Sequence, residues 1–217
     1  MHTVTATSDV QTAPSDFTLK RSVRYPDYEA ETEKDKFYKT LNQEQKAFFD
    51  LATDMDSGNL FLTGGGGVGK TYLMRGVIKA LRNHCHQQVV VTSSTASSAS
   101  LLDGVTLHKF FGFPAAVCAT PEGEILCHAN KKVQLCDVLI VDEISMVRID
   151  VWEAAFKSII VANAKRKQQG KKPIKIIVCG DFAQLPPIIP LAEKSVLDRI
   201  FGFDVRGGYA FMAPAWE

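Results

Sequence analysis

The sequence has little cysteine, no long apolar run and no excess of charge of either sign. Five cysteines, an odd number without regular close spacing, exclude a disulfide scaffold and fit a reducing compartment. Cys118, Cys127, His128 and Cys136 match none of the close-paired spacings of zinc sites. No apolar stretch approaches the roughly 20 residues that span a bilayer, and the opening MHTVTATSDV lacks the charged-then-apolar plan of a secretory signal. The expectation is an intracellular monomer without membrane contacts, in the cytoplasm or nucleoid, or in the nucleus for a eukaryotic or viral source. Lys and Arg total 25 against 24 Asp and Glu, so no global field attracts nucleic acid and any such contact must be local.

What the sequence does have is apolar bulk. At 217 residues and 46% hydrophobic, it suffices for one domain with a substantial core. Residues 1–36, rich in Thr, Ser, Asp, Glu and Lys, read as a flexible lead-in, leaving 37–217 as the folded domain. From Leu41 the pattern becomes periodic. Asn42 and Gln45 form a capping box ahead of a helix that buries Phe48, Phe49 and Ala52. Leu73, Met74, Val77, Ile78 and Leu81 mark a second helix, and Trp152, Ala155, Phe156, Ile159 and Ile160 a third, opened by Asp150 with Glu153. Residues 59–63, 88–92, 138–141 and 174–179 are short, continuously apolar strands. Strands of that kind alternating with helices specify an α/β fold, a parallel sheet with helices on both faces.

Gly64, Gly65, Gly66, Gly67, Val68, Gly69, Lys70 and Thr71 spell a complete phosphate loop between a strand and a helix. Glycines let backbone N–H groups turn inward around phosphate oxygens, at a helix end that adds partial positive charge. Lys70 supplies a point charge for the β- and γ-phosphates, and the Thr71 hydroxyl suits Mg2+. Asp142 and Glu143 end the third strand, at the sheet edge where ligands gather. Asp142 is expected to hold Mg2+, and Glu143 to orient or deprotonate an attacking water. The fourth strand runs into Gly180–Pro187 (GDFAQLPP). There Gln184 has two readings, a donor to a γ-phosphate or part of a proline-fixed turn.

Taken together, LNQEQ at 41–45, GGGGVGKT at 64–71, VVVTSST at 89–95, TLHKFFGF at 106–113, VDEISMV at 141–147, GDFAQLPPI at 180–188 and YAFMAPAW at 209–216 resemble superfamily 1B DNA helicases of the PIF (petite integration frequency) and RecD type. The resemblance spans roughly residues 38–217 and implies a RecA-like P-loop NTPase domain. It implies that Gln45 contacts adenine, so that the nucleotide is ATP, and that Gln184 senses the γ-phosphate. It further implies that Thr92, Ser94, Thr95, Thr106 and His108 face single-stranded DNA, with Phe110 stacking on bases. The resemblance also implies movement 5′ to 3′. Such helicases need a second RecA-like domain whose arginines complete the ATP site. The sequence ends at Glu217 before one, so the expectation is the first of two motor domains, nearly inactive alone. The alternative is a stand-alone nucleotide- or DNA-binding module that unwinds nothing. A basic run, Lys165, Arg166, Lys167, Lys171, Lys172 and Lys175, reads as a helix C-terminus and a solvated turn rather than a DNA contact.

Overall fold

A computed structural model describes residues 27–216, with side chains from residue 33. Its five strands are β1 (Leu60–Leu62), β2 (Val89–Ser93), β3 (Val105–Thr106), β4 (Val138–Asp142) and β5 (Lys175–Cys179). All pair in parallel, in the order β1-β5-β4-β2-β3. Four of them stand where their apolar runs placed them. β3 has only two residues, too few to show any period.

The central strands are mainly apolar because both faces are covered. Val89, Val91, Val138, Ile140, Ile177 and Cys179 enter one core, shared with α2 (Gln43–Thr53) and α3 (Lys70–Asn83). Val90, Leu139, Val141, Ile176 and Val178 enter the other, with α5 (Leu107–Phe111), α6 (Lys131–Leu135) and α7 (Ile149–Gln168). This is the period-two alternation of a strand, with both phases buried. Short α4 (Ala96–Leu101) follows β2, and α8 (Leu191–Phe201) follows β5. Among the described residues, no helix is long and apolar enough to cross a membrane.

Four expectations require correction. α1 (Asp27–Thr40) begins inside the segment read as a lead-in, and Phe37 carries it onto the α3 side of the sheet; residues 1–26 lie outside the described residues. α7 starts without a capping box: Arg148 is its N-cap residue, and no side chain caps it. Asp150 is instead fully buried, accepting from Arg148 and from the backbone N–H of Cys118 (2.8 Å), while Glu153 accepts from the Ala215 N–H (3.0 Å). Ile160, placed on the apolar stripe of α7, is 54% exposed.

The fourth correction concerns the basic run, where two of the six cations are structural. Arg166 is 2% exposed, bonded to Asp137 Oδ1 (2.8 Å) and to the carbonyls of Gln134 and Lys172. Lys175, 4% exposed, spends its three protons on Leu51 O (2.7 Å), Asp54 O (2.6 Å) and Ser57 Oγ (2.6 Å). Those carbonyls belong to the C-terminal end of α2, so Lys175 of β5 caps that helix.

Beside β1, an edge strand, aromatic rings gather around Phe182. Phe61 (5.8 Å between centroids), Phe211 (4.8 Å) and Trp216 (5.8 Å) surround it. Trp216 also meets Trp152 of α7 at 5.5 Å. The segment that carries Gln184 is thereby clamped between the sheet edge and the C-terminal 3-10 turns.

Candidate nucleotide-binding site

The loop from β1 to α3 owes its path to glycine. Gly67 and Gly69 have φ of +77° and +92°, and Gly69 is the N-cap residue of α3. A side chain there would strain the backbone and block the approach of a ligand to the N–H groups. Lys70, the first residue of α3, donates from Nζ to Gly64 O (2.6 Å) and Gly65 O (2.9 Å), so its charge sits within the loop. Thr71, next on the helix, is exposed.

The acid pair stands at the same edge. Asp142 closes β4 and is 8% exposed; burial pushes its carboxyl above the usual range. The Cys179 thiol, the Glu143 backbone N–H and the charge of Lys70 act against that rise. Glu143 takes a left-handed backbone, φ +54°, as the chain turns from β4 into a 3-10 turn (Ile144–Met146). Its carboxyl is raised by burial and by Asp142, a shift that Lys70 opposes. A carboxylate held in this way is a better proton acceptor than a free one.

Two glutamines complete the ring. Gln184 Nε2 lies 3.9 Å from where a Cβ on Gly66 would stand, and is oriented by donation to Asp181 Oδ2 (3.1 Å). Gln45 Nε2 lies 3.1 Å from the equivalent point on Gly69. The capping box holds Gln45 there, with Asn42 N–H donating to its Oε1 (3.1 Å) and its own N–H to Asn42 Oδ1 (2.8 Å). Gln45, the pair Asp142 and Glu143, and Gln184 thus converge on Lys70 and its loop from three other stretches of chain.

The residues expected at DNA divide differently. Thr92 has no exposure, and its hydroxyl donates to Ile140 O (2.9 Å), a bolt between β2 and β4. Phe110 is 2% exposed, packed edge-on against Phe111 at 4.9 Å, and presents no face to a base. Both lie in the cores because β2 is central and α5 turns its aromatic side inward. Thr95 and Thr106 are N-caps, accepting from the N–H of Ser98 and of Lys109 (each 3.2 Å). The Ser94 hydroxyl is buried without a hydrogen-bond partner among the described residues. His108 is half-buried, its imidazole pKa lowered by burial and by nearby Arg148 against the pull of Asp150.

Spacing alone did not single out Ser93 or Cys179. Ser93 donates to the Asp142 carbonyl (3.1 Å), and the register aligns Thr106, Ser93 and Asp142 across three strands. A hydroxyl residue ending a central strand beside the acid strand is the signal that points to Ser93.

A parallel sheet with this loop, acid pair and glutamine at its carboxyl edge defines a phosphate-loop nucleotide-binding domain of RecA-like build. The chain belongs to the PIF1-like helicase family, whose profile matches residues 40–203. It is 34% identical over 181 residues to the ATP-dependent DNA helicase PIF1 of Candida albicans, covering 82% of this chain and 19% of that protein. Against the namesake of Rattus norvegicus it is 36% identical over 154 residues, 68% of this chain and 23% of the relative. Among solved structures, a Bacteroides Pif1 helicase in complex with ADP-AlF3 and ssDNA superposes with a TM-score of 0.62 at 28% identity, covering 80% of this chain and 39% of that one. The Candida albicans Pif1 helicase gives a TM-score of 0.57 at 30% identity, over 81% of this chain and 37% of that one. The chain therefore spans about a fifth of the curated relatives' length and about two fifths of the solved chains.

Proposed function

We propose that this chain is the ATP-binding and hydrolysing motor domain of a helicase that moves 5′ to 3′ along single-stranded DNA, completed by a second RecA-like domain. The carrying observation is the convergence of Lys70, Asp142, Glu143 and Gln184 on one loop in a member of this family. Lys70 engages the β- and γ-phosphates and Gln45 the adenine. The Asp142 carboxylate and the Thr71 hydroxyl are hard oxygen donors of the type Mg2+ takes, and the buried carboxylate gains from a cation beside it. Bound Mg2+ supplies neutralisation of phosphate charge. Glu143 accepts the proton of the attacking water, and Gln184, hinged on Asp181, responds to loss of the γ-phosphate.

Support for single-stranded DNA comes from the relative solved with ssDNA and from hydroxyl groups at the same sheet edge. After Thr92, Phe110 and the buried Ser94 hydroxyl are set aside, the DNA-facing residues of this proposal are Thr95, Thr106 and His108.

Fluorescent ADP binding with Mg2+ tests the site: Lys70→Ala abolishes it, and unchanged affinity removes the assignment. With charge-neutralising arginines on the second domain, worth about 10³–10⁵ in rate in related chemistry, the 217 residues alone hydrolyse ATP very weakly. Robust turnover by them contradicts the shared-site reading. Nucleotide binding with no unwinding by the natural full-length protein favours the binding-module alternative.

A further inference from the structure

α1 and α3 lie side by side, and between them is a groove of about 510 Å³. Its floor is apolar, formed by the rings of Phe37 and Phe49, 5.9 Å apart, and by the surface of α3 at Gly76 and Ala80. Its rim is cationic. Among the described side chains, Lys34, Lys36, Arg75 and Lys79 stand there with one carboxylate, Glu33, 3.5 Å from Lys79. That surplus is local, since the whole chain carries a net charge of only +1. Along α3 the lining runs from Tyr72 to His84, roughly 18 Å at the helical rise and thus about three turns of a neighbouring helix.

We propose that this groove docks an acidic amphipathic helix of a partner protein, its apolar stripe over the accessible edge of Phe37 and its carboxylates against Lys36, Arg75 and Lys79. A channel between two helices accepts a third by ridge-into-groove packing, with apolar anchors one turn apart. Charge complementarity sets the sign of the partner, because four cations around an apolar trough repel a basic helix and steer an acidic one. Nucleic acid, the other polyanion, is served less well. Phe49 is only 1% exposed and Phe37 half-buried, so neither offers an open ring face to a stacked base. The inference does not rest on the nucleotide site, which meets this surface only through Tyr72, the neighbour of Thr71.

The test is fluorescence anisotropy of the full 217-residue chain with a labelled peptide of about 15 residues, leucine at one-turn spacing and glutamate elsewhere. The expected result is saturable binding that Mg–ADP and oligothymidylate leave in place. Lys36→Glu/Lys79→Glu, a reversal of two exposed charges, weakens it at least about tenfold while circular dichroism and ADP affinity stay as in the wild type. Should that variant lose its fold, Lys36→Gln alone is read instead, with a loss of about threefold. Absence of binding, equal binding by the charge-reversed chain, or equal binding of a lysine-for-glutamate peptide overturns the proposal. Displacement of the peptide by oligothymidylate assigns the groove to nucleic acid and overturns it equally.

Discussion

Arg148 grips Asp150 through two parallel hydrogen bonds, Nε to Oδ1 at 3.0 Å and a terminal guanidinium nitrogen to Oδ2 at 2.9 Å, where Asp150 has no exposure to solvent. The remaining terminal nitrogen reaches Glu193 Oε2 at 2.8 Å. The cluster joins the turn after Glu143 to α8, the helix that follows the Gln184 segment. Breaking a buried pair from one side leaves an uncompensated charge, so Arg148→Met destabilises the fold by about 3–5 kcal/mol. Adding Asp150→Asn recovers part of that loss. Urea denaturation of the single and double variants measures both.

Lys175 gives a second expectation. Lys175→Met strands two carbonyls and a hydroxyl at the end of α2, a loss of about 1–3 kcal/mol. Lys171→Met, an exposed member of the same basic run, changes stability by less than about 0.5 kcal/mol. Equal effects at the two positions, in thermal or chemical unfolding, would contradict the capping role of Lys175.

Gly76 sits mid-helix in α3, where alanine is better by about 1 kcal/mol on propensity alone. Yet a Cβ there would collide with the Phe37 ring. Gly76→Ala therefore destabilises by detaching α1, whereas the same change in a Phe37→Ala background stabilises. The sign reversal in a double-mutant cycle is the measurement.

His108 predicts a pH effect. Its folded pKa is depressed below the ordinary 6.5, chiefly by burial. Its contribution to stability is complete above pH 6.5 and is lost as pH falls from there through the folded value. Between pH 7.5 and 5.5, where most carboxylates remain ionised, His108→Asn flattens the decline of unfolding free energy with acid.

The residues of the candidate site were legible in the sequence because their pattern is local. Gly64–Thr71 is contiguous, and a loop that must curl its N–H groups around phosphate declares itself through glycine, lysine and threonine in fixed order. Asp142 and Gln184 were legible one step less directly, as polar residues ending apolar strands, which parallel pairing then brings to one edge. Gln45 was legible through its capping box, although the box accounts for its conformation and not for its approach to Gly69.

The sequence by itself determined that a parallel sheet forms, that a phosphate loop leaves its first strand, and that an acid pair and a glutamine leave two others. Periodicity and spacing carry those facts. Only the tertiary structure decided which polar and aromatic groups stay at the surface. Thr92, Phe110, Asp150, Arg166 and Lys175 look alike in the sequence whether solvated or buried, because burial depends on what packs across the sheet from distant stretches of chain. For Thr92, Asp150, Arg166 and Lys175 the partner that settles it, Ile140, the Cys118 N–H, Asp137 or Leu51, is chosen by the fold.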